Sequence, residues 1–159
     1  MKVGLLPYTV VAPKDGSVAY IAANGEHAVV AVDVAKRTIL KSLPVGRNPW
    51  SIATNPEGTR LLVANNRSGN LSLMGAGGTK GEPFGDQVFL DAGAVLNPSG
   101  ISTARAAKNV ALTANGETGI FTDLANNQVV VVDIKTGKIK KAINVGKAPY
   151  GIEMIRPAL

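Results

Sequence analysis

The chain has 159 residues, of which 45% are hydrophobic and 18% are charged, and its formal net charge is +6. This length and composition indicate one globular domain or a piece of a larger one, and they exclude a disordered polar tail. The sequence contains no cysteine and one histidine, His27, which excludes a disulfide framework, a thiolate zinc site, an iron–sulfur cluster, a cysteine nucleophile and a histidine-rich metal site.

The predicted elements are short β-strands throughout. In the first part of the chain they cover residues 8–12, 18–22, 28–34 and 38–45. In the last part they cover residues 108–113, 118–122, 128–134 and 138–145, followed by an extra inner strand over 149–156. Val, Ile and Leu dominate the strands, whereas Gly, Asn and Asp dominate the turns between them. The pattern predicts an all-β fold.

An internal repeat explains this alternation. The stretch VGLLPYTV at residues 3–10 returns as VGRNPWSI at 45–52 and as VGKAPYGI at 145–152. Successive units start at Pro7, Pro49 and Ala107, and Pro149 marks the start of the next one. The sequence therefore predicts units at about 7–48, 49–106 and 107–148; the first and third have equal length, and the longer middle unit carries an insert. Four strands in a unit of this length are typical of a β-propeller blade.

The repeated motifs resemble those of the YVTN family of β-propeller repeats, the surface-layer and YncE-like group. Its members carry a Val-Gly-x-x-Pro-Tyr-Gly-Val lead, a Pro-Asp-Gly turn, a Tyr-Val-Ala-Asn strand end and a Val-Ser-Val-Ile-Asp strand. The matching stretches are VGKAPYGI at 145–152, PKDG at 13–16, LVANN at 62–66 and VVVD at 130–133. Residues 75–86 and 92–106 depart from the pattern. The resemblance implies a propeller fold and a periplasmic or cell-surface location.

Three units and one extra strand are fewer than the four to eight blades that usually close a propeller. We therefore expect either a segment of a longer propeller, which the surplus inner strand favours, or several copies that complete one ring by self-association. No apolar run approaches the roughly 20 residues that span a bilayer. The short apolar stretch after Lys2 contains Gly4 and Pro7, and the repeat explains it better than a signal peptide does.

The candidate binding residues share one repeated position, where the chain enters an inner strand: Tyr8, Trp50, Lys108 and Tyr150. For the aromatic residues we expect packing between blades, with a ligand-stacking ring as the alternative. Lys108 breaks the pattern. We expect it to lie where packing is looser, and the alternative is a single cation that faces the channel. Arg105, in the second irregular stretch, is a candidate for contacting a partner, because loops on a rigid scaffold often carry binding; it is otherwise solvated.

Other polar residues indicate structural roles. His27 has only Glu26 near it in sequence, so a role as ligand or base is not favoured. Asp33 and Asp133 end equivalent strands, which predicts hydrogen bonds to the following turns. The glycine-rich stretch 75–83 lacks the Gly-Lys-Ser/Thr ending of a P-loop. A lysine cluster near the end fits an exposed edge strand better than a nucleic-acid site, and comprises Lys135, Lys138, Lys140, Lys141 and Lys147.

These observations favour a non-catalytic binding or interaction scaffold with a protein or glycan partner. We expect no catalytic residues, cofactor, metal, nucleic-acid partner or membrane span. The alternative is part of an enzyme, because similar propellers serve as lactonases and as subunits of quinoprotein dehydrogenases. Against it, the sequence offers no carboxylate ligand set, no histidine pair and no nucleophile with a base. A glycan-binding propeller is a third hypothesis.

Overall fold

The computed structural model describes residues 1–76, 87–90 and 107–155, with residues 87–90 described by their backbone alone. These residues form three antiparallel, four-stranded sheets. The first contains β1 (Pro7–Val11), β2 (Val18–Ala23), β3 (Ala28–Asp33) and β4 (Thr38–Pro44). The second contains β5 (Pro49–Thr54), β6 (Arg60–Asn65), β7 (Asn70–Gly75) and β8 (Gln87–Leu90). The third contains β9 (Ala107–Leu112), β10 (Thr118–Asp123), β11 (Gln128–Asp133) and β12 (Ile139–Asn144).

Each sheet follows chain order, and short turns join neighbouring strands except between β7 and β8, where the connection lies mostly outside the described residues. The turn after the first strand of each sheet contains a glycine with positive φ: Gly16 at 66°, Gly58 at 66° and Gly116 at 70°. Glycine adopts this conformation without the steric strain that a Cβ atom causes. The strands predicted for the first and third units are confirmed to within one or two residues at their ends.

The sheets stand side by side and meet through their first strands. Strand β5 contacts both β1 and β9, while β2 contacts β5 and β6 contacts β9. The core between the first and second sheets includes Tyr20, Val29, Ile52 and Val63. The core between the second and third includes Leu62, Leu73, Val110 and Phe121. The sheets thus fan around an axis beside their first strands, which confirms the predicted all-β partial β-propeller.

The last strands lie on the outside of this arrangement. Most side chains of β4 and β12 are exposed, including Lys140 and Lys141 on β12. Charged residues on an edge strand hinder pairing with another chain. The placement of β12 agrees with the edge strand expected from the lysine cluster.

The two ends of the row of sheets are less covered than its middle. Val10, Ile52 and Val110 hold one repeated position, yet Val10 is 62% exposed whereas Ile52 is 2% and Val110 5% exposed. The preceding sheet covers Ile52 and Val110, and no sheet among the described residues does this for Val10. At the other end of the row, Val131 in the third sheet is partly exposed, whereas Ala31, at the same repeated position in the first sheet, is fully buried.

Residues 149–155, the described part of the predicted extra inner strand, lie next to β9. Tyr150 accepts a hydrogen bond from Asn109 through its backbone oxygen. The segment does not form the predicted strand in this structure, and it pairs with no strand among the described residues. Within the described parts of the chain, no helix is long and apolar enough to cross a membrane.

Candidate binding site at the lead end of the sheets

The candidate residues lie where β1, β5 and β9 begin, beside the Val-Gly leads, and we call this side of the molecule the lead end. The first strand of each sheet carries a register shift at its second residue. In β5, for example, Pro49 pairs with Asn65 and Ser51 pairs with Ala64, which leaves Trp50 between them without a partner. A bulge of this kind redirects a side chain away from its ladder. The same irregularity occurs at Tyr8, and in β9 the shift takes in Lys108 together with Asn109.

These side chains contact one another in chain order, although they are far apart in the sequence. The rings of Tyr8 and Trp50 have centroids 4.0 Å apart and are tilted by 40°. The Lys108 Nζ lies 3.0 Å from the centroid of Trp50 and 5.0 Å from that of Tyr150. Tilted ring pairs and ammonium groups over rings are both attractive arrangements. The row Tyr8–Trp50–Lys108–Tyr150 therefore joins successive units by packing.

Lys108 does not lie in a loosely packed place, so that expectation is wrong. The residue is only 8% exposed, because the rings on either side of it in the row take up its surroundings. Burial lowers the pKa of its ammonium group. Lys108 replaces an aromatic residue with a cation that still fills the same place in the row.

Hydrogen bonds at the next residue tie each first strand to the following one. The Thr9 hydroxyl donates to the backbone oxygen of Trp50 at 2.7 Å, and the Asn109 side chain donates to that of Tyr150. Between the second and third sheets, the backbone N–H of Val110 donates to the Ser51 hydroxyl at 3.3 Å. These bonds hold the row at a fixed spacing.

A second repeated contact comes from the turn between the second and third strands of the first two sheets. Asn24 donates its side-chain N–H to the backbone oxygen of Pro49 at 3.1 Å, and Asn66 donates to that of Ala107 at 3.2 Å. Leu124 holds the equivalent position in the third unit and has no polar group to donate. The third unit thus departs from the repeat at both Lys108 and Leu124.

The two departures line the same cleft, which we call the Trp50 cleft. It has a volume of about 580 Å³ and is lined by Asn48, Trp50, Asn66, Arg67, Lys108, Leu124 and Ala125. Two of these residues carry positive charge and none carries negative charge. The Asn48 Oδ1 is buried and has no hydrogen-bond partner among the described residues. The cleft therefore combines an aromatic ring with two cations.

Two larger cavities offer less distinctive chemistry. One, of about 660 Å³, runs along β1, β5 and β9 beside residues 152–155 and is lined mainly by aliphatic residues. The other, of about 690 Å³, lies between turns at the opposite end of the sheets. Its charges are partly paired, since Lys140 Nζ is 3.0 Å from a carboxylate oxygen of Asp133.

His27 has a structural partner that explains its position. Its Nδ1 accepts the backbone N–H of Asn48 at 3.2 Å. In the third unit, Asn127 Oδ1 accepts the backbone N–H of Ala148 at 2.9 Å from the equivalent position. Both side chains therefore fix the lead of the following unit.

The two strand-end aspartates bind their turns, as the sequence predicts. Asp33 accepts the backbone N–H of Lys36 at 2.8 Å, and Asp133 accepts that of Thr136 at 2.8 Å. The backbone N–H of Thr136, followed by Lys140 and the Thr136 hydroxyl, lowers the pKa of Asp133 to about 2. The backbone N–H of Lys36 likewise lowers the pKa of Asp33.

Other candidates stay as sequence predictions. Arg105 and most of the glycine-rich stretch 75–83 lie outside the described residues. Within the described ranges, no group of three or more His, Cys, Asp or Glu side chains could hold a metal ion. The candidate residues predicted from the sequence did not include Arg67, Asn48 or Leu124. Aligning the turns as well as the leads shows Leu124 in place of the asparagine of the other two units.

Comparison with known structures places the fold in a class. The chain is similar to a functionally unknown protein from Desulfotomaculum acetoxidans, with a TM-score of 0.74 and 14% identity over 95% of this chain and 46% of that one. It is also similar to the WD40 repeats of RRP9, with a TM-score of 0.68 and 13% identity over 91% of this chain and 40% of that one. It is similar to streptogramin B lyase as well, with a TM-score of 0.68 and 15% identity over 94% of this chain and 45% of that one.

The WD40 repeats and streptogramin B lyase are β-propellers, and this chain has the fold of a partial β-propeller. It spans less than half the length of each of the three. At these identities the likeness shows the fold alone. No family model matches the chain, and no curated protein matches it in sequence.

Proposed function

We propose that the chain is a non-catalytic binding scaffold, a β-propeller segment that presents the Trp50 cleft to a protein or glycan partner. One observation carries the proposal: Lys108 and Leu124, the departures of the third unit from the repeat, both line this cleft. Residues that recur in every unit serve the packing that all units share. Lys108 and Leu124 do not recur in the other units, so the cleft that they share differs from the equivalent surfaces of those units.

The rest of the lead end makes this place rigid. Thr9, Ser51 and Asn109 tie the first strands together, while the Asn66 side chain bonds across the cleft from the second unit to the third. A partner that docks here meets preformed walls, so little conformational freedom is lost on binding. This rigidity supports recognition.

Binding of the full chain to a glycan array and a peptide array tests the proposal. We expect binding that Arg67→Ala abolishes, because Arg67 is an exposed residue of the cleft wall. Lys41→Ala, which removes an exposed lysine from β4, is the matched control and should leave binding unchanged. The same preparation is assayed for lactone hydrolysis with added calcium. Metal-dependent turnover, or binding that Arg67→Ala leaves intact, contradicts the scaffold function at this cleft.

We also propose that further units of the same repeat cover the two ends of the row of sheets, either in a longer chain or in a second copy. The exposure of Val10, against the burial of Ile52 and Val110, supports this arrangement. The direction of packing supports it too, because the second sheet packs one face against the first sheet and the other against the third, whereas the first and third sheets each pack against one described sheet.

The proposed location is outside the cytoplasm, in the periplasm or at the cell surface. Its support is the resemblance of the leads and turns to YVTN repeats. Fractionation of the source cells with an antibody to this chain tests it: detection in the periplasmic or surface fraction is expected, and detection in the cytoplasmic fraction alone contradicts it.

A further inference from the structure

We propose that the Trp50 cleft recognises a carboxylate on an acidic peptide segment, with Lys108 and Arg67 as its charge partners. This inference rests on the proposed binding function and adds the chemistry of the ligand. Among the described residues, the walls of the cleft contain two cations and no acidic residue. A carboxylate matches that charge.

Lys108 is the more unusual of the two cations. It is largely buried against Trp50 and Tyr150, and no described carboxylate lies within ion-pair distance of its ammonium group. By contrast, the ammonium groups of Lys36 and Lys140 lie near Asp33 and Asp133. Removal of water strengthens the attraction between opposite charges, so an anion that reaches Lys108 gains more than it would at an exposed lysine.

Arg67 supplies the second charge from another part of the cleft wall. Its turn is fixed to the lead of its own unit, because the backbone N–H of Arg67 donates to Arg47 O at 3.2 Å and that of Asn66 donates to Asn48 O at 3.0 Å. Arg67 is exposed and makes no ion pair with a described residue. The planar donors of its guanidinium group fit the two oxygens of a carboxylate.

One feature favours a peptide over an acidic sugar. The ring of Trp50 already contacts Tyr8 and the Lys108 ammonium group, which leaves little of its face for stacking a sugar ring. A carboxylate on a peptide side chain needs no ring contact, because it can bond the cations of the cleft wall directly.

Trp50 is the only tryptophan of the chain, so its fluorescence reports on the cleft directly. The full chain is titrated with a short capped oligoglutamate peptide, with the matched oligoglutamine peptide and with an oligouronate sugar. We expect a saturable change with oligoglutamate that weakens at high salt. Affinity for oligoglutamine should be about 10- to 100-fold lower, the range for loss of a hydrogen bond to a charged group.

Two variants and a control locate the effect. Lys108→Gln and Arg67→Gln should each weaken oligoglutamate binding by about tenfold or more, and Lys41→Gln should not. Arg67 is exposed, so its replacement tests the inference even if Lys108→Gln fails to fold. Equal affinity for both peptides, preference for the oligouronate, or no response of Trp50 overturns the inference. Partner binding on the arrays that requires Arg67, without a response to oligoglutamate, overturns only the ligand chemistry and leaves the scaffold function standing.

Discussion

The lead glycines offer a paired test of the packing between units. Gly46 and Gly146 hold the same position in two copies of the lead, and neither has a positive φ. A Cβ atom on Gly46 would lie 2.6 Å from Asn65 Cγ and 2.6 Å from Asn70 Oδ1, whereas one on Gly146 would meet nothing within 4 Å. Gly46→Ala should therefore destabilise the protein, and Gly146→Ala should not.

The size of the destabilisation in Gly46→Ala depends on the packing and the hydrogen bonds of Asn65. Asn65 is fully buried and donates to Asn70 Oδ1 at 2.9 Å and to the Ser72 hydroxyl at 2.7 Å. Overpacking costs about 1–3 kcal/mol, and displacing Asn65 adds about 1 kcal/mol for a disturbed buried hydrogen bond. Alanine restricts the unfolded chain and returns about 0.5–1 kcal/mol in both variants. We expect Gly46→Ala to lose about 2 kcal/mol and Gly146→Ala to gain up to about 1 kcal/mol.

Urea unfolding followed by Trp50 fluorescence measures the difference. With a slope of about 2 kcal/mol per molar urea, the midpoints of the two variants should differ by about 1 to 1.5 M. All proteins are compared at one concentration, chosen high enough for the chain to associate, because association changes apparent stability. Equal midpoints for Gly46→Ala and Gly146→Ala would refute the tight packing of the second lead against Asn65.

Two further predictions concern burial and pH. Val110→Ala should lower the free energy of unfolding by about 2 kcal/mol, whereas Val10→Ala at the same repeated position should change it by less than about 0.5 kcal/mol, because Val10 is exposed. Thermal unfolding followed by circular dichroism measures both variants. Equal losses of stability would contradict the order of the sheets. The folded state lowers the pKa of Asp133 from 3.8 to about 2, so the stabilisation from its turn is complete above pH 3.8 and is lost as the pH falls towards 2. A carboxyl NMR titration with a midpoint near the ordinary value of an aspartate would contradict this, and Asp133→Asn should remove the pH dependence that the residue contributes.

The architecture is accessible from the sequence because it repeats. The equal spacing from Pro7 to Pro49 and from Ala107 to Pro149 locates the units, and the alternation of aliphatic runs with Gly, Asn and Asp locates the strands within them. Repeated positions must serve contacts common to all units, so the turn role of Asp33 and Asp133 also follows from equivalence alone. The structure confirms that role through the hydrogen bonds to Lys36 and Thr136.

The candidate site is less accessible because it forms between units. The burial of Lys108 depends on Trp50, which belongs to the preceding unit, and on Tyr150, which follows the third unit, and a chain-order search treats these as separate motifs. The bulges that place these side chains in one row leave no mark on hydrophobic periodicity. Arg67 looks like any charged turn residue until the fold brings its turn to the wall of the Trp50 cleft.

The most direct test of the account is the solution mass of the isolated full chain, measured by light scattering during size-exclusion chromatography and paired with a thermal melt. Each unit is expected to need a neighbour on both faces, and Val10 and Tyr150 are 62% and 57% exposed at the two ends of the row. The account predicts concentration-dependent association, or a broad melt without a cooperative transition when the chain is dilute. A monodisperse particle with the mass of one chain and a sharp cooperative melt would contradict it.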